Sequence, residues 1–378
     1  MVIGTRPEAI KMAPVVRALK ADQQHMNTTL ALTGQHTVMV DQVLDAFGMA
    51  PDFDLEIMRE GQDLYDVAHA CLDGLRGLVG RLEPDLILVQ GDTATVFYAS
   101  LVAFLEGVEI GHVEAGLRSG NKWAPFPEEV FRRLTDVLAD LYFAPTPRAR
   151  DNLLEEGVPR ERIFLTGNPV VDALQSVDTM GRAPTDPVLT RVLDSGTPFV
   201  LLTAHRRESF GSPLRDVFSA VRELANRKED LEILYPVHPN PRVLEPAVEL
   251  LSGHPRIHLL EPLDYLDLVQ ALSAARLVLT DSGGIQEEAP TFGVPVLVLR
   301  AVTERPEGVE AGAARLVGTR KDRILEESLA ILEGKARGAE GSGPSNPYGD
   351  GQAGMRIADI VRAHITGAPR TTSDWNPA

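Results

Sequence analysis

The chain has a single cysteine, Cys71, in 378 residues, so no disulfide can close within it and a reducing cytosol is the expected compartment. Hydrophobic residues make up 44% of the sequence, yet no uninterrupted apolar run approaches the roughly 20 residues of a membrane-spanning helix. No signal peptide is visible either, because Met1-Val2-Ile3-Gly4 runs straight into polar sequence, which also fits a cytoplasmic location. Positive charge is scarce: 37 Lys and Arg against 54 Asp and Glu leave a net charge of -17, which disfavours nucleic-acid backbones and anionic membranes as partners. An anionic substrate would have to be met by a few basic residues gathered at one site. Several familiar motifs are missing. There is no Gly-x-Gly-x-x-Gly after the first strand, no Gly-Lys-Ser/Thr phosphate loop, no cysteine pair and no His-Glu-x-x-His. Dinucleotide redox chemistry, phosphate-loop hydrolysis and zinc chemistry are therefore not expected.

What is present is an alternation of short β-rich runs with amphipathic helical patterns, over a length that predicts two domains. The fold class is α/β, with parallel sheets wrapped by helices. Gly4-Thr5-Arg6-Pro7-Glu8 opens the first helix: Thr5 is its expected cap, Pro7 suits its first turn, and Arg6 and Lys11 fall near its positive end. Only Met1-Val2-Ile3 precedes Gly4, short for the strand that is normally central in such a sheet, so further residues are expected upstream. Strands are predicted at residues 28–33, 85–90 and 110–113, ending at Gly34-Gln35-His36, Gly91-Asp92-Thr93 and Glu114-Ala115-Gly116. Ligands in open α/β sheets bind outside the carboxyl ends of the strands, which puts Asp92 and Glu114 at the functional edge. Residues 121–127 lead to Glu128-Glu129, at the start of a helix whose Val130, Leu134, Val137 and Leu138 read as its buried face. A carboxylate there can be a first-turn dipole partner, a reading that suits Glu129 better than Glu128. Strands at 141–144 and 163–166 complete the first half, and residues 175–195, with two prolines and one glycine, read as the linker.

The second half repeats the architecture. Strands at 199–203, 231–236, 257–260, 277–280 and 294–299 end at His205-Arg206-Arg207-Glu208, at His238, and at the stretch Thr280-Asp281-Ser282-Gly283-Gly284-Ile285-Gln286-Glu287-Glu288. That stretch reads as strand, glycine-rich turn and helix. Two adjacent glycines at a helix start leave backbone N–H groups uncovered along the positive end of the dipole, as a diphosphate site requires, and Glu288 lies about one turn further in. The same tripeptide can also be only a turn and cap. Residues 334–351 form a Gly-, Ser- and Pro-rich loop, residues 355–365 a closing helix, and the tail beyond Gly367 is expected to be disordered.

Taken in order, Gly4 to Lys11, His112 to Arg118, His205 to Glu208, Thr280 to Glu288, Thr303 to Glu307 and Asn346 to Gly351 resemble the bacterial UDP-N-acetylglucosamine 2-epimerases over nearly the whole chain. The resemblance implies two Rossmann-like domains of GT-B type, residues 1–175 joined by 355–378 and residues 190–353, with the active site in the interdomain cleft. It also implies a homodimer and exchange of UDP-GlcNAc with UDP-ManNAc without a nicotinamide cofactor or metal, feeding cell-surface polysaccharide. The C2 proton is not next to a carbonyl carbon, so an enzyme without NAD must ease its removal by expelling UDP from C1, leaving a 2-acetamidoglucal. Returning UDP with protonation from the other face gives the epimer, and this requires an acid and a base on opposite faces. By resemblance Asp92, Glu114 and Glu128 supply them, in an order the residues leave open, and His205 acts with them. The resemblance implies that Arg6, Lys11, Leu263, Leu268, Ser282, Gly283, Gly284, Glu288 and Arg305 contact the substrate. Leu263 and Leu268 read equally as ordinary core. A pocket for a second, activating UDP-GlcNAc would use Gln35, His36, Arg206 and His238, but Val38 and Gly61 stand where the family has a glutamine and an arginine. A hydrolysing epimerase, a GT-B glycosyltransferase and a silent nucleotide-sugar sensor remain as alternatives.

Overall fold

The structure, a computed structural model, describes residues 1–34, 37–57, 59, 61–335 and 346–377. Gln35 and His36 of the expected regulatory pocket, and most of the loop at 334–351, lie outside the described residues. The chain forms two compact units, Met1–Ala173 with Tyr348–Asn376, and Leu174–Pro347.

In the first unit β1 (Val2–Ile3), β2 (Ala31–Leu32) and β3 (Phe53–Asp54) form one parallel ladder. A second ladder is made by β4 (Leu86–Gln90), β5 (Glu109–Val113), β6 (Leu141–Ala144) and β7 (Ile163–Leu165). Since β1 lies against β4, the strands run 3-2-1-4-5-6-7 across the unit. The second unit has one six-stranded parallel sheet built from β8 (Phe199–Thr203), β9 (Glu232–Pro236), β10 (Ile257–Leu260), β11 (Leu277–Thr280), β12 (Val296–Val298) and β13 (Ala314–Leu316). Its order, β10-β9-β8-β11-β12-β13, is again 3-2-1-4-5-6 counted from the unit's first strand. This is the doubly wound arrangement, and its ligand crevice opens where the order reverses. That point lies beyond β1 and β4 in the first unit, and beyond β8 and β11 in the second.

The strands are apolar on both faces because helices cover both. Along β8, Val200 and Leu202 join one core cluster while Phe199 and Leu201 join another, as the period of two in a strand demands. The closing helix, Ala353–Thr366, packs on the first helix, Arg6–Ala21, inside the first unit. Gly354 permits this approach, since a Cβ there would come within 2.9 Å of the Pro14 backbone. Among the described residues no helix is long and apolar enough to cross a membrane.

Three expectations are corrected. Residues 175–195 are not an open linker: they contain the end of the helix Pro169–Thr179 and the whole helix Pro187–Ser195, the latter capped by Asp186 and burying Leu189 and Val192. Its proline stands in the first turn, where a missing N–H costs nothing, rather than breaking structure. The tail beyond Gly367 is ordered around Trp375, whose side chain is buried and whose N–H donates to the Leu165 carbonyl at 2.7 Å. The helix Glu128–Leu138 turns only part of its apolar pattern inward: Leu138 packs on a core cluster and Val130 is half-buried, but Glu129, Arg132, Thr135 and Asp136 are buried, whereas Leu134 is 41% and Val137 78% exposed. Polar groups face inward because they have charged partners at the edge of the sheet, described next.

Candidate active site

At the switch point of the first unit, three segments bring carboxylates together with cations. Glu114 follows β5 and holds a left-handed backbone conformation, φ 69°, uncommon for a residue with a side chain. Its carboxylate is gripped by donors: Lys11 Nζ at 2.7 Å and Asn168 Nδ2 at 3.1 Å on Oε1, and the Gln90 amide on Oε2. It also lies over Gly91, whose missing Cβ would be 3.8 Å from Glu114 Oε2. The next residue, Asp92, forms an ion pair with Arg132, which also reaches Glu129 Oε2 at 3.3 Å. Glu129 is occupied further by the N–H groups of Ser119 and Gly120. Its neighbour Glu128 is different: among the described residues its Oε2 is buried with no hydrogen-bond partner, as is Arg132 Nε. A buried, unsatisfied carboxylate oxygen in a native fold asks for an explanation, and a bound substrate is one.

A second network fixes the backbone on which these groups stand. His112, fully buried on β5, directs Nε2 at the Gly91 carbonyl (2.8 Å) and Nδ1 at Asp136 (2.7 Å). Asp136 Oδ2 accepts from the Gly116 N–H at 3.2 Å and pairs with Arg118 at 2.8 Å. Burial opposes ionisation of Asp136, but His112 and Arg118 outweigh it and hold the carboxyl below its usual range. Gly116 itself has φ 85° and no room for a side chain, since a Cβ would overlap the Ala149 carbonyl.

The second unit presents the other half of the predicted residues. His205 and Arg206 follow β8, and their backbone N–H groups both donate to Asp281 Oδ2 at 2.8 Å, across the switch point from the end of β11. The His205 ring stacks on His238, with centroids 5.4 Å apart. Partial burial lowers the His205 pKa below the usual imidazole value, with Asp281 pulling the other way. The helix Gly283–Glu288 begins at Ser282, whose side chain does not cap it. A Cβ on Gly283 would lie 3.0 Å from Glu304 Oε1 and 3.7 Å from Arg206 Nη2, and one on Gly284 would lie 3.5 Å from Glu288 Oε1. The start of this helix is thus ringed by Arg206, Glu304 and Glu288, with Arg300 on Glu304 Oε2 at 2.7 Å. Arg305 pairs with Glu287, and Thr303 donates to Gln286 at 2.6 Å, so the loop after β12 is tied to the same helix.

Of the predicted residues, Lys11, Asp92, Glu114 and Glu128 share the switch point of the first unit with Arg6, and His205, Arg206, His238, Ser282, Gly283, Gly284, Glu288 and Arg305 share that of the second. Leu263 and Leu268 are partly buried against a core cluster of the second unit. Sequence reasoning did not find Glu8, Gln90, Arg132, Asp136, Asn168 and Asp281. Each has a partner tens of residues away that no local pattern marks, although Thr5 and Glu8 together carry the spacing of a capping box.

Two doubly wound parallel α/β units, each with acidic and basic side chains at its switch point, define an α/β protein whose ligands bind at the carboxyl ends of its strands. Comparison with known proteins makes this specific. The model of the family described as UDP-N-acetylglucosamine 2-epimerase matches residues 17–362. UDP-N-acetylglucosamine 2-epimerase of Bacillus subtilis is 47% identical over 96% of this chain and 94% of its own. Staphylococcus aureus MnaA, solved with UDP, is 44% identical with a TM-score of 0.87, covering 99% of this chain and 98% of that one. The Neisseria meningitidis UDP-GlcNAc 2-epimerase, solved bound to UDP-GlcNAc, is 40% identical with a TM-score of 0.85 over 95% and 98%. The chain belongs to the UDP-N-acetylglucosamine 2-epimerase family, a family of isomerases.

Proposed function

We propose that the protein interconverts UDP-GlcNAc and UDP-ManNAc by elimination and re-addition of UDP, without hydrolysis. The observation that carries this reading is the set of three carboxylates, Asp92, Glu114 and Glu128, brought to one sheet edge by three segments, with Glu128 Oε2 buried and unpartnered. One carboxylate takes the C2 proton as the C1–O bond breaks, and the bonding electrons leave with the β-phosphate oxygen of UDP. The C1–C2 double bond of 2-acetamidoglucal forms. Protonation of C2 from the opposite face, with return of the phosphate oxygen to C1, gives the other epimer. Lys11, gripping Glu114, and Arg132, pairing Asp92, keep the carboxylates oriented. The nucleotide is held by the second unit: the turn Ser282-Gly283-Gly284 offers N–H groups to the diphosphate, and His205, Arg206 and Arg305 supply donors where charge develops on leaving UDP. The glucal needs no cofactor. Solved relatives holding UDP and UDP-GlcNAc support this choice of ligand.

A glycosyltransferase of the same fold would give the three carboxylates no evident task. We further propose a homodimer that covers the exposed Leu134 and Val137 of the helix Glu128–Leu138 and Phe104 and Leu105, 59% and 68% exposed, of the helix Ala94–Leu105 packed against it. The test of mechanism is incubation with UDP-GlcNAc in deuterated water. Deuterium at C2 of both UDP-linked epimers is expected; free ManNAc would identify a hydrolase instead, and no exchange would refute the reading. Asp92→Asn, Glu114→Gln and Glu128→Gln should each lower turnover at least about a hundredfold while UDP still binds.

A further inference from the structure

One buried titratable group plays no part in this chemistry. Glu8, 2% exposed, reaches back over the start of its own helix: Oε2 accepts the Gly4 N–H at 2.6 Å and Oε1 accepts the Thr5 hydroxyl at 2.8 Å. The same Oε1 accepts the Thr93 hydroxyl, also at 2.8 Å, from a residue 85 positions away. Gly4 and Thr5 end β1, and Thr93 belongs to the loop that ends β4, so a single carboxylate joins the two sides of the switch point where the strand order reverses. The residue before Thr93 is Asp92. On its other flank the Gly91 carbonyl is held by His112, and the Asp92 side chain is paired with Arg132. The second unit contains the equivalent link, since Asp281 after β11 accepts the N–H groups of His205 and Arg206 after β8.

We infer that Glu8 is a positioning residue for Asp92, locking the turn that carries Arg6 to the loop that carries Asp92 through the Thr93 hydroxyl. The inference rests on the catalytic assignment of Asp92 proposed above. The geometry makes Glu8 poorly replaceable as packing alone: its carboxylate gathers three donors, and an amide offers one oxygen while presenting N–H groups to donors. Burial also pushes the Glu8 carboxyl up to about 7, the three donors and the nearby Asp92 charge acting against one another.

The test is a coupling measurement on the full-length protein, with UDP-GlcNAc as substrate. Glu8→Gln and Thr93→Val should each lower kcat roughly tenfold with KM changed less than about twofold, and the double variant should fall no further than either single one. Thr93→Ser, which keeps the hydroxyl, should recover kcat to within about twofold of the parent. Multiplicative losses in the double variant, a change confined to KM, a Thr93→Ser variant as slow as Thr93→Val, or a parent-like kcat in Glu8→Gln would each overturn the inference. If Glu8→Gln does not fold, Glu8→Asp, whose carboxylate is one methylene shorter, takes its place with the same expected outcomes, since the Thr93 hydroxyl also accepts the Val96 N–H at 3.4 Å as the cap of its helix and the Thr93 pair alone would not isolate the link. Asp92→Asn, run in parallel, separates the two levels: full activity there removes Asp92 from the mechanism and this inference with it, whereas an inactive Asp92→Asn beside a parent-like Glu8→Gln removes only the inference.

Discussion

Gly283→Ala separates binding from folding unusually cleanly. Position 283 has no positive φ, so a side chain brings no backbone strain there. Alanine in place of glycine at a helix start favours the folded state by up to about 1 kcal/mol. Against this stands the new Cβ, 3.0 Å from Glu304 Oε1 and 3.7 Å from Arg206 Nη2. Both contacts are with the far ends of side chains, 31% and 40% exposed, that can move by a few tenths of an ångström. The two effects nearly cancel, and the thermal midpoint should shift by no more than about 3 °C, since roughly 1 kcal/mol moves a domain of this size by only a few degrees. Binding is another matter. The methyl group occupies the space over the turn in which we place the diphosphate, and each lost hydrogen bond to a charged group is worth about 1.5–3 kcal/mol. UDP affinity measured by calorimetry should therefore fall roughly tenfold to a hundredfold, at 1.4 kcal/mol per tenfold. An unchanged Kd in a normally folded Gly283→Ala protein would mean that the diphosphate lies elsewhere, and Ser282→Ala with Gly283→Val, which blocks the turn further, would confirm it by also binding normally.

Other outcomes follow from named groups. Burial raises the Asp172 carboxyl from 3.8 to about 6, although the N–H groups of Gly354 and Ala353, at 2.8 and 3.1 Å, oppose the rise. Because the folded-state pKa lies above the unfolded one, this group's stabilising contribution is complete below about pH 4 and is lost as pH rises toward 6, by about 3 kcal/mol in all. Asp172→Asn should flatten that part of the curve in urea unfolding between pH 4 and 7, at the cost of a weaker hold on the closing helix at every pH; an unchanged slope would show that Asp172 does not titrate there. Removing residues after Gly351 strips the first helix of its partner and β7 of Trp375, so the truncated protein should be insoluble or inactive. If Val38 and Gly61 weaken the expected activator pocket, a trace of UDP-GlcNAc should not switch on the reverse reaction from pure UDP-ManNAc; silence until that trace is added would mean the activator site is intact.

How much of this was legible beforehand can be judged residue by residue. The apolar runs of β4, β8 and β11, the glycine-rich turn after Thr280 and the carboxylates at strand ends are local signals. Chain order alone carried them to a parallel α/β fold with Asp92 and Glu114 at the carboxyl ends of its strands, because alternation of strand and helix leaves few topologies open. The helix Glu128–Leu138 shows where that reasoning stops. Its apolar stripe named Leu134 and Val137 as core, yet the fold buries Arg132 and Asp136, since their ion-pair partners, Asp92 and Arg118, are supplied by other segments. A hydrophobic pattern records only what a side chain loses by facing water. What a charged side chain gains from a partner 40 residues away depends on the tertiary structure, and so the grip of Lys11, Gln90 and Asn168 on Glu114, and the link from Glu8 to Thr93, could be decided only there.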